Sequence, residues 1–343
     1  MSKKVVFGIL LGAAGLTLAC LCTSVNIVPL RWTPTAVASL AADTWAPNLE
    51  PAGTMGASLC VENLTKILHD SETIYLPGAE LETDFTLVTY SVSGNAITDP
   101  VNVYPIPPKL KAYQDDTAAQ QKLWDFFADV IPTDQRTEVT QFTVFTDGPN
   151  NSLGAVEQTD DPRYWKLEMD IQDGQNFPAL SSTLVHEFGH LLTLNESQVT
   201  PDMQVFNHPN DQGIYDSAAA NCSTYFMFEG CSRPDSYINR FFQRFWPSLF
   251  AEWQQIDSET DPDLLDQKLD KLYEQHRDEF LSNYAITSPE EDVAETFMYF
   301  IFTPRPAGTM IADQKVLFFY GYPAMVRLRE QILSHLCLFV EKP

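Results

Sequence analysis

A short segment of the chain, Val185-His186-Glu187-Phe188-Gly189-His190-Leu191, constrains the fold more than any other. Residues i and i+4 of a helix lie on one face, so His186 and His190 project to the same side, where two imidazoles can bind one zinc ion. Apolar residues bracket the motif, which indicates a largely buried helix in which histidines without a partner would be costly. The pattern predicts a helix that begins near Pro178, ends near Leu194 and supplies two zinc ligands.

Glu187 lies beside the face that carries the two histidines. Its carboxylate can reach a water on the metal and take its proton during attack on a carbonyl. The alternative is a coincidence of two histidines on an acidic helix, but the chain has only 6 histidines in all. We therefore expect Glu187 to act as a general base.

A third protein ligand must come from elsewhere, because no histidine follows His190 in Leu-Leu-Thr-Leu-Asn-Glu-Ser. The best candidate segment is Glu291-Asp-Val-Ala-Glu295, in which two carboxylates stand four residues apart on one helical face. One of them can bind zinc while the other orients a ligand histidine. Glu290 is the alternative ligand, but only Glu291 has a glutamate four residues later.

These two segments together resemble the gluzincin family of zinc peptidases, in which a helix with Glu-x-x-x-Glu or Glu-x-x-x-Asp follows His-Glu-x-x-His. The peptidase domain of the anthrax lethal factor type is the most similar, since it also has His-Glu-Phe-Gly-His and a Tyr seven residues before the zinc-binding Glu. Tyr284 stands at that spacing from Glu291 in this chain. The resemblance implies that Glu291 is the third zinc ligand, that Glu295 supports a zinc histidine, and that Tyr284 donates its hydroxyl to the developing oxyanion.

The resemblance covers only these two helices. Residues 191–290 separate His190 from Glu291, and this interval is longer than the resemblance implies. It holds Cys222, Cys231 and a run of aromatic residues that is more typical of a core than of a ligand site. Substrate choice therefore does not follow from the resemblance.

The expected fold is α+β and zincin-like, with a mixed twisted sheet, the motif helix beneath it and a helical C-terminal subdomain that supplies Glu291. The cleft would lie between the sheet and that subdomain. We expect a signal peptide at 1–22, a tether and irregular lead-in at 23–58, a small N-terminal β-containing region at 59–110, and the catalytic domain at 111–343 with a helical insertion at about 196–280.

Periodicity predicts several elements around the motif helix. They are a hairpin at 84–104 that turns at Ser93-Gly94-Asn95, a helix at 117–130, strands at 139–145 and 165–171, a loop-like stretch at 196–220, and helices at 221–280, at 288–302 and around Pro323.

The strand at 165–171 precedes the motif helix, at the place where zincins carry an edge strand that pairs with an extended peptide. Glu168 and Asp170 lie on its expected wet face and would favour basic side chains in a substrate. An ordinary polar face is the alternative.

The first residues are typical of an export signal, with Lys3 and Lys4 before an apolar run. Cys20 after Ala19 is similar to the cleavage site of bacterial lipoproteins, so a lipid anchor at Cys20 and simple secretion both stay open. The 6 cysteines suit an oxidising compartment. Cys222 and Cys231 would close a short loop and leave Cys60 to pair with Cys337.

Acidic residues outnumber basic ones by 46 to 21, giving a formal net charge of −25. This balance argues against nucleic acid or an anionic membrane surface as a partner. We expect a monomer that hydrolyses peptide bonds in a peptide or protein substrate, outside the cytoplasm. The alternatives are an exported zinc-containing binding protein without catalysis, and a zinc hydrolase that acts on a cell-wall amide or another non-peptide bond.

Overall fold

The protein is described by a computed structural model that covers residues 55–71, 76, 78, 81, 83–149 and 151–340. The expected signal peptide, the lipid anchor at Cys20 and most of the expected tether lie outside the described residues. Within these ranges, no helix combines the length and the apolar character that crossing a membrane requires.

In the part of the chain that the structure describes, eight strands form two sheets. The strands are β1 Phe85–Ser93, β2 Ala96–Val101, β3 Val139–Thr146, β4 Gly154–Gln158, β5 Trp165–Asp170, β6 Val199–Pro201, β7 Phe226–Met227 and β8 Gly230–Ser232. The larger sheet has the order β2-β1-β3-β5-β4, with β3 and β5 parallel and the other neighbours antiparallel. The smaller sheet has the order β6-β8-β7. The expected mixed sheet is thus confirmed, and the fold is α+β.

The described residues also form twelve α-helices. They are α1 Met55–Ser71, α2 Lys111–Asp115, α3 Thr117–Val130, α4 Phe177–Leu194, α5 Met203–Asn207, α6 Gln212–Asn221, α7 Tyr237–Phe245, α8 Phe250–Asp257, α9 Pro262–Gln275, α10 Pro289–Phe302, α11 Ile311–Tyr320 and α12 Pro323–Val340. The helices predicted at 117–130, 178–194 and 288–302 are confirmed within a residue or two, because each has a strong apolar period and a proline or a cap at its start.

The predicted hairpin is confirmed, with a two-residue turn at Gly94 and Asn95. Gly94 has a φ of 60°, a conformation that glycine adopts at little cost. Asn95 fixes the turn to the helical layer, since its side-chain oxygen accepts hydrogen bonds from Thr133 at 2.7 Å and from Arg136 at 2.6 Å. Local turn chemistry therefore determines this part of the sheet.

The expectation that 165–171 is the edge strand is wrong. β4 pairs antiparallel with β5 and occupies the edge, so β5 lies inside the sheet. Asp170 is not on a wet face either: it is fully buried, and its carboxylate accepts hydrogen bonds from the backbone N–H groups of Asp147 and Gln172. Glu168 is paired with Lys166 at 2.8 Å. Both carboxylates are therefore already paired with groups of the protein itself.

The N-terminal part of the described chain contains more helix than expected, and it packs against the C-terminal helices. α1 begins at Met55, within the expected irregular lead-in, and packs against α4, α10 and α12. The disulfide between Cys60 and Cys337 links α1 to α12. β1 also pairs with β3 across the boundary that we expected at residue 110. The described N-terminal elements thus share one sheet and one core with the rest of the chain.

The interval 196–280 contains more than the expected loop and helices. The small sheet β6-β8-β7 lies in it, together with five helices, α5 to α9. The second predicted disulfide is also present, between Cys222 and Cys231. The aromatic residues of this interval are core residues, as expected: Phe241 and Trp246 are fully buried.

A buried ion pair anchors α10 to α11. The ammonium of Lys315 lies 2.6 Å from the Asp292 carboxylate, and both side chains are almost completely buried. The indole N–H of Trp246 donates to the same carboxylate at 2.9 Å, and the Lys315 ammonium also lies over the ring of Phe280. Burial raises the pKa of Asp292 to about 6 against the lowering effect of Lys315. This pair anchors α10 to α11.

We predict that Lys315→Met destabilises the fold by about 3 kcal/mol, because it leaves a buried carboxylate without its cation. The double variant Asp292→Leu/Lys315→Met should lose less stability than the sum of the two single variants. Chemical denaturation followed by tryptophan fluorescence measures all three. Strict additivity would contradict the pairing.

Candidate metal centre

The helix α4 is buried along almost its whole length and passes beneath the sheet. Asn176 caps its first turn by accepting a hydrogen bond from the Ala179 N–H, and Pro178 occupies an early position that requires no N–H donor. The apolar residues Leu184, Val185 and Phe188 pack into the core on several sides of the helix. This packing holds the two motif histidines in a fixed orientation.

The helix α10 approaches α4 with its N-terminal half. The Ser288 hydroxyl caps it by accepting a hydrogen bond from the Glu291 N–H at 3.1 Å. Glu290, Glu291 and Asp292 all lie in its first turn, where the positive end of the helix dipole stabilises carboxylates. The cap and the dipole thereby favour an ionised Glu291 at this end of the helix.

The two helices approach closely where Gly189 faces Ala294. A Cβ atom added at Gly189 would lie 3.0 Å from the Cα atom of Ala294, which is closer than such atoms normally come. The glycine inside the motif therefore lets α10 come near enough for Glu291 and Glu295 to reach the histidines. This steric role explains the Gly of His-Glu-Phe-Gly-His.

Three buried side chains converge at this crossing. The Nε2 atoms of His186 and His190 lie 3.1 Å apart. The Oε2 atom of Glu291 lies 3.0 Å from Nε2 of His186 and 3.3 Å from Nε2 of His190. All three residues are at most 7% exposed. The predicted ligand set is thus brought together, and Glu291 rather than Glu290 is its carboxylate.

The geometry fits a metal ion. Ligand atoms about 2.0 to 2.1 Å from a tetrahedral zinc lie about 3.3 Å from one another, which is close to the three separations observed. Two imidazoles and one carboxylate are also the donors of catalytic zinc sites with an open fourth position. The second oxygen of Glu291 is buried and has no hydrogen-bond partner among the described residues. The cluster of His186, His190 and Glu291, hereafter the metal cluster, can therefore hold a metal ion.

The charges of the metal cluster are mutually dependent. Burial would raise the pKa of Glu291, but His190 and His186 lower it well below its usual value. Burial likewise opposes the charged form of His186, yet Glu291 and Glu295 raise its pKa. Metal binding to these residues would therefore be coupled to the release of protons.

Glu295 orients one of the histidines, as the resemblance implied. Its Oε1 atom lies 2.9 Å from Nδ1 of His186, so Nε2 of that ring points into the metal cluster. Its Oε2 atom accepts a hydrogen bond of 2.6 Å from Ser282. Ser282 is a site residue that the sequence did not reveal, because a lone serine in a loop carries no motif.

Glu187 lies between the metal cluster and the edge strand. It is 9% exposed, and burial raises its pKa to about 7 against the lowering effect of His186 and His190. The backbone of Val156 in β4 also lowers the pKa of Glu187, so the carboxylate lies beside this strand. A carboxylate with such a pKa can both take and return a proton near neutral pH.

Tyr284 lies beside the metal cluster in a 3₁₀ turn just before α10. Its ring centroid is 5.7 Å from that of His186. Burial, followed by the nearby carboxylates of Glu291 and Glu187, raises the pKa of Tyr284 above its usual value. The phenol is therefore protonated at neutral pH and able to donate a hydrogen bond.

Comparison with known proteins gives no further guide to this site. No protein-family model matches the chain, and no curated protein or solved structure matches it either.

We predict that Gly189→Ala weakens metal binding, because its methyl group would push Ala294 and the whole of α10 away from the histidines. Competition with a chelator of known affinity should show about a tenfold weaker zinc affinity, the size expected when the orientation of a ligand is disturbed. The double variant Gly189→Ala/Ala294→Gly should not recover the affinity, because the second change keeps the Cα atom of residue 294 with which the new methyl group collides. An unchanged affinity in Gly189→Ala would contradict the steric role.

We also predict that Glu295→Gln weakens zinc binding by about 10- to 100-fold, since a neutral partner holds the His186 ring less firmly and makes it a weaker ligand. The same chelator competition measures the effect. Ser282→Ala, which removes only the outer hydrogen bond, should weaken binding less than Glu295→Gln does. The reverse order would argue against this chain of contacts.

Proposed function

We propose that the protein is an exported zinc-dependent peptidase of the zincin type, with His186, His190 and Glu291 as metal ligands. The observation that carries this proposal is the convergence of the metal cluster with Glu187 and Tyr284 at one buried crossing of two helices. A structural metal site needs neither a base nor a hydroxyl donor, and structural zinc sites in proteins are usually closed by four protein ligands.

A zinc ion held by the three ligands would supply Lewis acidity, which polarises a carbonyl and makes water easier to deprotonate. Glu187 would accept the proton of the attacking water and return it to the leaving amine. Its carboxylate is suited to both steps because its pKa lies near 7. Tyr284 would donate its hydroxyl to the oxygen on which negative charge develops.

Glu295 and Ser282 would have no contact with the substrate. They form a continuous hydrogen-bonded chain to Nδ1 of His186. This chain leaves Nε2 of the ring for the metal and prevents the ring from rotating. The two residues are thus positioning residues.

A peptide substrate is supported by the place of the edge strand. Among the described strands, β4 pairs only with β5, so its other edge can pair with an extended peptide chain. Glu187 lies beside β4, since the backbone of Val156 in this strand lowers its pKa. A peptide added beside β4 would therefore lie next to the general base.

Export is supported by the two disulfides, which are typical of proteins in oxidising compartments. One of them also ties together parts of the chain that are far apart in sequence, since Cys60 and Cys337 are separated by 277 positions. The signal-like N-terminus agrees with this location, and secretion or lipid anchoring at Cys20 would follow from how that segment is processed.

The experiment that tests the proposal combines metal content with peptide cleavage. Elemental analysis of the purified mature protein should find one zinc per chain, and Glu291→Ala should bind it much more weakly. A mixed peptide library should be cleaved by the zinc-loaded protein but not in the presence of a chelator. Glu187→Gln should keep the zinc and lose about 10²- to 10⁴-fold in cleavage rate, the usual contribution of a general base.

Glu62→Gln is a suitable control, because it makes the same chemical change at an exposed position of α1. Zinc without cleavage of any peptide would favour the binding-protein reading, or a hydrolase of cell-wall amides if those are cleaved instead. Failure to bind zinc would refute the proposal.

A further inference from the structure

A second acidic group lies beside the metal cluster and is not used by the reaction proposed above. Glu229 stands in the two-residue turn that joins β7 to β8. Residues at the tip of such a turn usually face solvent, and its neighbour Phe228 is 44% exposed, but Glu229 is only 7% exposed. Its Oε2 atom is buried without a hydrogen-bond partner among the described residues. The hairpin thus directs a carboxylate into the protein.

The surrounding backbone holds Glu229 in this inward position. The next residue, Gly230, has a φ of 134°, and a Cβ atom there would lie only 2.1 Å from the carbonyl oxygen of Thr200 in β6. The disulfide from Cys222 to Cys231 closes the hairpin at the following position. A non-glycine residue at position 230 could not be accommodated, so the placement of Glu229 is fixed by the fold.

Glu290 is the second carboxylate of this group. It precedes the metal ligand Glu291 in the first turn of α10 and is 6% exposed. Its Oε1 atom accepts a hydrogen bond of 2.8 Å from Tyr225, whose ring stacks on Phe242 at 4.1 Å. Glu290 therefore has a fixed orientation of its own.

The hairpin that carries Glu229 lies against the first turn of α10, because Tyr225, immediately before β7, donates its hydroxyl to Glu290. Burial, followed by the charge of Glu290, raises the pKa of Glu229, which agrees with this proximity. Burying two like charges is costly unless a cation compensates them.

We propose that Glu229 and Glu290 bind a cationic group of the substrate, either a lysine or arginine side chain or a free N-terminal amine, next to the bond to be cleaved. This inference rests on the proposed peptidase function and specifies its substrate class. Guanidinium and ammonium groups carry several N–H donors and can satisfy both carboxylates at once.

A second metal ion fits these residues less well. Among the described residues, His186, His190 and Glu291 are the group that brings three metal-binding atoms together. Glu229 and Glu290 lack such a third ligand. An organic cation, which needs hydrogen-bond acceptors rather than a coordination shell, matches two carboxylates better.

The test measures ligand binding to the mature, disulfide-bonded protein and does not depend on catalysis. Isothermal titration calorimetry would compare arginine amide with citrulline amide, which has nearly the same shape but no side-chain charge. If the site binds the side-chain cation, arginine amide should bind at least tenfold more tightly, and if it binds the α-amine, the two amides should bind equally, in either case with or without zinc. Nα-acetyl-arginine amide has only the side-chain cation and norleucine amide only the α-amine, so these two ligands separate the two sources of charge.

Glu229→Gln should weaken binding of the preferred cation by about 10- to 100-fold, as expected for the loss of a charge-assisted hydrogen bond in a buried site. Glu62→Gln removes one exposed carboxylate and should leave binding unchanged. Glu229→Gln should also unfold at a temperature no lower than the wild type in the absence of ligand, because it relieves like-charge repulsion. A residue with a merely structural role would lower the unfolding temperature without altering the preference for arginine over citrulline.

Failure of both Nα-acetyl-arginine amide and norleucine amide to bind, or an unchanged affinity in Glu229→Gln, would each overturn the inference. These results would leave the peptidase proposal intact if the peptide library is still cleaved. Conversely, cation binding that depends on Glu229 in a protein that cleaves no peptide would refute the peptidase proposal and retain the site.

Discussion

The close crossing of α4 and α10 at Gly189 and Ala294 is the contact on which the rest of the site depends. At this distance a carboxylate from one helix reaches two imidazoles of the other, and a small change in separation would break all three contacts together. The sheet packs against α4, and the buried pair of Lys315 and Asp292 anchors α10 to α11. The close packing of α4 against α10 in the core therefore also determines the geometry of the metal cluster.

The crossing also concentrates ionisable groups in a space with little solvent. Glu187, Glu291, Glu295 and the two histidines are all at most 9% exposed. Such a group is tolerated because each carboxylate has a histidine or a backbone N–H as its partner. The arrangement is still strongly charged, and a bound cation would reduce the repulsion among the carboxylates. Metal binding and the stability of this region should thus be coupled.

The sequence correctly predicted those elements whose formation depends on interactions between residues that are close in the chain. The helix at 177–194, the helix at 289–302 and the hairpin at Gly94 follow from apolar period, caps and turn residues. The order of strands depends on pairing between distant segments, so the sequence did not reveal that β4 covers β5. β4 has five residues, begins with a glycine and alternates weakly, which leaves no periodic signal. The burial of Asp170 was missed for the same reason, since its partners lie on another strand end.

Glu229 suggests a role for the long interval, residues 191–290, that separates the two histidines of the metal cluster from Glu291. Its helices bury their aromatic residues as a second part of the core, and its small sheet returns the chain to the first turn of α10. The disulfide and Gly230 then fix one carboxylate beside the metal ligands without contributing to them. If the two helices carry the chemistry, as we propose, the inserted hairpin governs which substrate charge is accepted. Part of the selectivity would then reside on the hairpin, so changing Glu229 would alter the substrate and leave the metal ligands in place, whereas Glu290 shares α10 with the ligand Glu291.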